Sequence, residues 1–230
     1  MVCPSDLVFD PEYHRYLLGG VPIPHVTEIV QATYGTPPVS RDRLDELAAL
    51  GRAAHDGIHK VCKAFLETKE WPRVSECGLT GAGATAVERF LDVVDYLDWR
   101  PLDTEVMIAN RELWYAGRLD LLAIDRVSRR ILIDFKSGSS YSKAHEAQLG
   151  GYLLALESIG EESSVEEAGL LYLRIREDAR AKWRVVNIEE AIKEFLACLD
   201  DWRLDQAECD EGGNHGRQNS RPETVEGLHR

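Results

Sequence analysis

Residues 131–138 read ILIDFKSG, and this stretch decides the fold that we expect for the chain. Three aliphatic residues predict a buried strand, because short apolar runs bounded by turn residues are typical of sheet interiors. The same strand carries Asp134 and Lys136, and a charge in a buried strand is costly unless it has a partner. Since side chains alternate across a strand, the two charges share one face. Their partner should therefore lie on a neighbouring strand.

The strand candidate before this stretch is joined to it by a very short connection, which predicts an antiparallel hairpin. If Asp125 and Arg129 close the loop, Asp120 lies directly opposite Asp134. The Cβ atoms of residues opposed in this way are roughly 5 Å apart. One face of the hairpin should then carry Asp120, Asp134 and Lys136, and the other face should carry Leu119, Leu121, Ile133 and Phe135.

Two carboxylates at that separation in an apolar setting repel each other strongly, unless a cation lies between them or one of them binds a proton. A hard divalent ion with oxygen ligands meets this need, and magnesium accepts a site with few carboxylates and several waters. The alternative is an exposed strand pair of Asp134 and Lys136, with Asp120 as an ordinary hairpin carboxylate. The pair alone does not decide between these interpretations.

The rest of the chain alternates between helix and strand patterns, which predicts an α/β domain with one central sheet flanked by helices. An N-terminal hairpin, LVFD and HRYLL, precedes it, and Ser40 is a plausible N-cap for the first long helix. We expect helices at about 26–33, 44–65, 82–98, 142–158 and 189–202, and strands at 104–109, 115–124, 130–136, 168–175 and 182–188.

The length of 230 residues favours a single domain. We place this domain at 1–204, with its core at about 44–203. The remainder, 205–230, has almost no apolar periodicity, and we expect it to be a disordered tail.

Composition excludes some classes of protein. No apolar run approaches the ~20 residues that span a bilayer, so we expect no membrane association. The opening MVCPSDLVFD lacks the basic start and apolar stretch of a secretory signal, which favours the cytoplasm. The net charge of −13 argues against a nucleic-acid binder. That objection weakens if carboxylates gather where a metal binds.

Further residues surround the charged hairpin in the sequence. Asp120 lies in GRLD, and QLGGY places Gln148 and Tyr152 one helical turn apart on one face. Upstream, the apolar periodicity of a long helix places His55, in GRAAH, on its core side. These residues are candidates to share one site with Asp120, Asp134 and Lys136.

The ordered set GRLD, IDFK and QLGGY resembles the PD-(D/E)XK phosphodiesterase superfamily, and in particular its RecB-like exonuclease branch. That branch also has a histidine shortly after a glycine on an upstream helix, which His55 matches, and a glutamate on the strand before the hairpin, which Glu105 matches. The resemblance covers about residues 44–156, with a weaker likeness of GGVPIPHVTEIV to phage exonucleases. It implies a restriction-endonuclease-like core around the mixed sheet.

The resemblance also implies roles for individual residues. The metal ligands would be His55, Asp120, Asp134 and the Phe135 carbonyl, with Glu105 helping to bind a second ion. Lys136 would position or deprotonate the attacking water. Nucleic acid would be held, or the site braced, by Gln148, Tyr152, Arg118 and Ser137.

From this resemblance we expect a nuclease that uses Mg²⁺ or Mn²⁺ to hydrolyse DNA in processing, recombination or repair, and a phage origin is compatible with the resemblance. It should act as an exonuclease on linear ends or single strands. A helicase or recombinase partner would be a separate chain, because no helicase motif is present, and a homo-oligomer is compatible with the sequence.

The chain departs from the family pattern at two points. Leu119 stands where a proline usually precedes the aspartate. Some members hold an iron–sulfur cluster with four cysteines, three of them near the carboxyl end, whereas here only Cys198 and Cys209 lie there. We therefore expect no iron–sulfur cluster. The five cysteines are scattered without a CxxC pair, which favours free thiols.

Three other interpretations stay open. In HDGIH, His55 and His59 have zinc-protease spacing, but Asp56 replaces the glutamate that would act as general base. A scaffold or interaction protein could keep a nuclease fold without activity. Finally, a set of basic residues could follow a phosphate backbone or could be a solvated edge; its members are Arg118, Lys143, Arg174, Arg176, Arg180, Lys182 and Arg184.

Overall fold

The computed structural model describes residues 4–36, 39–160 and 164–211, apart from the side chains of 209–211. The strands are β1 (Leu7–Asp10), β2 (Arg15–Leu18), β3 (Val21–Ile23), β4 (Arg100–Asn110), β5 (Tyr115–Ile124), β6 (Arg130–Lys136), β7 (Glu167–Tyr172) and β8 (Lys182–Val186). The α-helices are α1 (Val26–Tyr34), α2 (Arg41–Thr68), α3 (Gly81–Leu97), α4 (Lys143–Glu157) and α5 (Ile188–Glu211). A short 3₁₀ helix spans Val74–Glu76.

The central sheet has five strands in the order β4-β5-β6-β7-β8. Its β6 and β7 are parallel, and the other neighbours are antiparallel, so the sheet is mixed. Helix α4 makes the crossover that two parallel strands require. A separate antiparallel sheet, β1-β2-β3, lies at the N-terminus. The predicted α/β fold with a central mixed sheet and an N-terminal hairpin is confirmed.

Helices cover both faces of the central sheet. On one face, α1, α4 and α5 pack on a core that includes Leu122, Leu132 and Phe195. On the other face, α2 and α3 pack on a core that includes Phe90 and Ile133. A smaller cluster joins the N-terminal sheet to β4 and β5. Burial of these apolar side chains provides the main driving force for the three-layer arrangement.

The register of the β5–β6 hairpin agrees with the prediction. Leu121 pairs with Ile133, and the N–H of Asp125 donates to the carbonyl of Arg129 at 3.1 Å where the loop closes. The Asp125 carboxylate accepts from the N–H groups of Val127 and Arg129, both at 2.9 Å, and so fixes the loop. Turn chemistry of this kind sets the register of a whole hairpin.

The prediction of which face of the sheet one residue occupies was wrong. Leu119 was expected beside Leu121, but it packs with the α1, α4 and α5 core on the opposite face. The change of face falls where both ladders of β5 are interrupted. The β5–β6 ladder ends at Leu121, and the β4–β5 ladder pairs Thr104 with Leu121 and Val106 with Leu119 but leaves out the position between. Glu105 lies there with a left-handed φ of 54°. This conformation breaks the alternation of side chains in β4.

The predicted disordered tail began too early. Helix α5 continues through Glu211, beyond the predicted start of the tail at residue 205. Strong helix formers such as Gln206, Ala207 and Glu208 extend it despite the lack of apolar periodicity. Residues 212–230 lie outside the described residues.

In the part of the chain that the structure describes, no helix combines the length and the apolar character needed to cross a bilayer. Cys62, Cys77 and Cys198 are buried free thiols.

Candidate active site

The site begins where β5 and β6 separate. Their ladder ends at the pair Leu121 and Ile133. At the next position Asp120 Oδ2 accepts the N–H of Phe135 at 2.6 Å, so a carboxylate replaces the main-chain partner. Asp120 and Asp134 are 7% and 2% exposed. The prediction that both carboxylates lie near each other in the sheet interior is consistent with this geometry.

Helix α2 brings a histidine to this point. His55 Nδ1 lies 3.1 Å from Asp120 Oδ1 and 3.9 Å from Glu105 Oε1. One ligand atom from each of these three residues lies within 4.8 Å of the others. We call His55, Glu105 and Asp120 the ligand cluster. The sequence placed His55 on the core side of its helix, and α2 packing against the sheet brings it to Asp120.

Glu105 reaches the cluster through an unusual backbone conformation. A left-handed φ in a residue other than glycine costs of the order of 1–3 kcal/mol, and it persists only where surrounding contacts impose it. In Glu105 it interrupts β4 opposite Asp120. The hydroxyl of Thr104 donates to the Asp120 carbonyl at 3.0 Å, which holds the two strands together at the interruption. Backbone strain is thus localised at the residue whose carboxylate completes the cluster.

On the other side of the hairpin, polar contacts link β6 to α4. Lys136 Nζ lies 2.6 Å from Asp134 Oδ2 and donates to Gln148 Oε1 at 2.8 Å. Gln148 Nε2 donates in turn to the hydroxyl of Tyr152, also at 2.8 Å. The predicted one-turn spacing of Gln148 and Tyr152 therefore serves to hold the lysine. Two of these four side chains, Gln148 and Tyr152, lie on α4.

Burial makes the ionised form of the Asp134 carboxyl group unfavourable. Burial raises its pKa to about 6, although the attraction of Lys136 opposes that rise. Its Oδ2 is buried and has no partner with full hydrogen-bond geometry among the described residues, even though the ammonium of Lys136 is close. A buried carboxylate oxygen without such a partner is energetically costly. It is a favourable position for a cation or for an ordered water.

The ligand cluster balances its charges through His55. Burial alone would lower the pKa of His55, but the Asp120 carboxylate beside it holds that pKa well above the usual range. Burial alone would raise the pKa of Asp120, and the attraction of His55 keeps it below the usual value. A protonated imidazole thus supplies the positive charge that two carboxylates need. A divalent cation would supply the same charge from the same place.

The donor set suits a divalent metal ion. Carboxylate oxygens are ligands that Mg²⁺ and Mn²⁺ prefer, and an imidazole nitrogen is accepted more readily by Mn²⁺. The N–H of Phe135 donates to Asp120 Oδ2, and the Phe135 carbonyl stays a predicted ligand. These residues therefore fit the metal that the sequence predicted.

Asp134 differs from the predicted ligand set. It does not belong to the compact group that could hold a metal among the described residues, which contains His55, Glu105 and Asp120. Its carboxylate is instead engaged by Lys136.

Two residues that were predicted to bind the substrate or support the site lie at the edge of the site. Arg118 Nη1 is 3.8 Å from Glu105 Oε2, beside the cluster. Ser137 follows β6, and its carbonyl accepts the N–H of Ile175 at 3.0 Å. This contact fixes the main chain of Ser137 but gives its hydroxyl no role in the site.

The other interpretations from the sequence find less support. His59 Nδ1 lies 3.3 Å from Thr104 Oγ1, and the ligand cluster includes His55 without His59. In the basic segment, Arg174 pairs with Glu177 and Arg176 with Glu46. Arg184 lies 3.6 Å from Glu146 and stacks on Tyr141. These arginines are neutralised locally, as expected for a solvated edge.

Sequence reasoning missed four aromatic residues of the N-terminal sheet region. Phe9, His14, Tyr16 and His25 line a cavity of about 230 Å³ whose other side includes Glu105, Arg118 and Asp120. The density of aromatic and histidine residues in FDPEYHRY hints at Phe9, His14 and Tyr16, whereas His25 lies in GGVPIPHVTEIV. Nothing local in the sequence connects that hairpin with β5.

No family model matches the chain, and no curated protein does. A solved structure described as "Crystal structure of SSO0001" is similar with a TM-score of 0.32 and 17% identity. The likeness covers 65% of this chain and 74% of that chain. A likeness of this size carries no argument about the site.

Proposed function

We propose that the chain is a metal-dependent nuclease that hydrolyses phosphodiester bonds of DNA. The observation that carries the proposal is the joint burial of Asp120 and Asp134 beside Lys136, His55 and Glu105 at the point where two strands separate. Groups of opposite charge held in a site of low dielectric constant are typical of active sites.

The ligand cluster would hold one divalent cation, with Asp134 at its edge. A bound cation of this kind lowers the pKa of water and offsets negative charge on a phosphate. The chain's own contribution is to bring the carboxylates of Glu105 and Asp120 together, with His55 holding the pKa of Asp120 below its usual value against the effect of burial. His55 assists because its imidazole can release the proton it shares with Asp120.

Lys136 would act on the reacting water and on the phosphate. Its ammonium is held between Asp134 and Gln148, so it can donate a further hydrogen bond to a water oxygen or a phosphate oxygen without reorganisation. Donors fixed in advance at the position where negative charge develops are a large source of catalysis. Gln148 and Tyr152 then serve as positioning residues.

The charge distribution limits how DNA would be attracted. A net charge of −13 opposes long-range attraction of a polyanion. Local cations such as Arg118 and Lys136, together with the metal, must therefore provide the attraction at the site. A partner chain such as a helicase or recombinase would help deliver DNA, and this partnership is part of the proposal.

The proposal also places the protein in the cytoplasm. The described cysteines are free and buried, as is usual for proteins in a reducing compartment.

The proposal is tested with end-labelled linear DNA and closed circular DNA, each incubated with and without Mg²⁺ or Mn²⁺. An exonuclease degrades the linear form alone, and only when metal is present. Nicking of circles would change the assignment to an endonuclease. Absence of cleavage under every condition would favour a scaffold protein with a nuclease fold.

A further inference from the structure

A small cavity adjoins the proposed active site. Its volume is about 230 Å³, and its lining includes Glu105 and Asp120 of the ligand cluster. Pockets for drug-sized ligands are roughly 300–1,000 Å³. The cavity is thus too small for a folded stretch of polymer but large enough for one flat ring system. A group bound there would lie next to the reacting phosphate.

One side of the cavity is an aromatic wall, which consists of Phe9, His14, Tyr16 and His25. The four rings contact one another in a closed circuit. The centroid distances are 5.3 Å for Phe9 to His14, 6.2 Å for His14 to His25, 6.0 Å for His25 to Tyr16 and 5.0 Å for Tyr16 to Phe9. Neighbouring rings are inclined at 54° to 88°, so the wall offers a planar ligand a single ring face to stack on and the edges of other rings beside it.

The wall is buried to different depths. Tyr16 is buried, Phe9 and His25 are half-buried, and His14 is exposed at the rim. His14 has a left-handed φ of 49°, which turns the β1–β2 connection so that the ring joins the circuit. The cavity is thus open at His14 and closed at Tyr16.

Hydrogen-bond donors complete the cavity. Arg118 lies over the Phe9 ring at 5.0 Å, and its buried Nε has no hydrogen-bond partner among the described residues. His25 Nδ1 accepts the N–H of Glu28 at 3.2 Å, so Nε2 is the N–H of that ring; Glu28 Oε2 lies 3.9 Å from it, beyond hydrogen-bond distance. A ligand that accepts hydrogen bonds from both Arg118 and His25 must carry acceptor atoms on its edge.

We propose that this cavity binds one unpaired nucleobase of the nucleotide that adjoins the scissile phosphate, and that the substrate class is therefore single-stranded DNA. The proposal rests on the proposed nuclease function. A nucleobase is planar and carries acceptor atoms at its edge, so it matches both the wall and the donors. A base within a duplex cannot enter, since its edge is paired and its faces are stacked.

The test uses the full chain carrying Lys136→Met, which should bind DNA without cleaving it, in Mg²⁺. Single-stranded oligonucleotides carry the fluorescent base 2-aminopurine at one of the two residues nearest either end, and the matching blunt duplex is the comparison. We expect the single strand to bind more tightly than the duplex, with fluorescence quenched as the base stacks. Equal affinity for both forms would overturn the proposal.

Two further substitutions, each added to Lys136→Met, test whether the base lies in the cavity. Phe9→Leu keeps an apolar side chain, and His14→Asn suits the left-handed backbone at that position. Each should weaken single-strand binding roughly tenfold and relieve the quenching, the effect expected when a stacked base loses an aromatic partner. Tyr13→Leu is the control, because Tyr13 is 63% exposed in the same turn and does not line the cavity.

Quenching that persists in both cavity variants, or that is relieved equally by Tyr13→Leu, would also overturn the proposal. The nuclease function itself is judged separately by the wild-type chain. If that chain cleaves single strands and blunt duplexes equally well in Mg²⁺, the function stands and the cavity assignment fails. If it cleaves neither, both fail.

Discussion

Lys136 Nζ donates a hydrogen bond of 2.8 Å to Gln148 Oε1. The bond connects the end of β6 with the middle of α4, so the crossover helix between two parallel strands determines where the ammonium lies. Gln148 is held in turn by the hydroxyl of Tyr152. The position of the proposed catalytic lysine therefore depends on side chains that need not touch the reacting phosphate.

Tyr152→Phe should lower kcat several-fold, because Gln148 loses its acceptor and holds Lys136 less firmly. Stability should fall by about 1 kcal/mol, as for the loss of one buried hydrogen bond. Tyr115→Phe is the matched control. The Tyr115 hydroxyl donates to the Gly151 carbonyl of the same helix at 2.8 Å, away from the lysine. It should lose similar stability in urea unfolding and keep full kcat. Equal losses of kcat in both variants would contradict the positioning role.

Asp120→Asn should weaken Mn²⁺ binding by roughly tenfold or more, since even partners outside the ligand shell commonly change metal affinity by that factor. The asparagine oxygen can still accept the N–H of Phe135, so the fold should persist. Asp56→Asn is the control because Asp56 is exposed on α2 next to His55. Calorimetric titration of the two variants measures the difference. If Asp56→Asn alone weakened binding, the metal would lie at HDGIH instead.

Glycine substitutions should test the packing of α4 against α5. A Cβ at Gly150 would lie 2.0 Å from the Ala191 carbonyl oxygen, so Gly150→Ala must separate the two helices and should destabilise the fold by about 2 kcal/mol or more. At Gly51 of α2, a Cβ meets nothing within 4 Å. Gly51→Ala should stabilise the protein by about 0.5–1 kcal/mol through its helix propensity. Thermal unfolding that ranks the variants in the opposite order would refute this packing.

His145 should make the fold sensitive to acid. Burial lowers its pKa to about 4, and the charge of nearby Lys136 adds to the shift; its Nδ1 lies 3.3 Å from the Tyr172 hydroxyl. The unfolded chain binds this proton near pH 6.5, so the stabilisation is present above that pH and is lost as the pH falls towards 4. His145→Gln should reduce this loss by roughly 1–2 kcal/mol, allowing for solvent screening of a half-buried ring. Urea unfolding of both proteins from pH 7 to pH 4.5 measures this difference. If the free energy of unfolding falls equally with pH in the wild type and in His145→Gln, the prediction is wrong.

The sequence predicted what depends on local pattern. A short loop predicted the register of β5 against β6, and helical spacing predicted that Gln148 and Tyr152 lie on one face of α4. It did not predict the left-handed Glu105, because the strain there is imposed by tertiary contacts around the cluster. It also missed the aromatic wall, because only the docking of the N-terminal sheet on β4 and β5 brings His14 near Arg118.

The central claim is tested most directly by cleavage of end-labelled linear DNA in Mn²⁺ by the wild-type chain and by Lys136→Met. Lys63→Met, at an exposed position of α2, is the matched control. We expect cleavage by the wild type and by Lys63→Met, and a rate at least ~100-fold lower in Lys136→Met, as expected for loss of a group that transfers a proton or stabilises charge. Cleavage by Lys136→Met at the wild-type rate, or no metal-dependent cleavage by the wild type, would contradict the account.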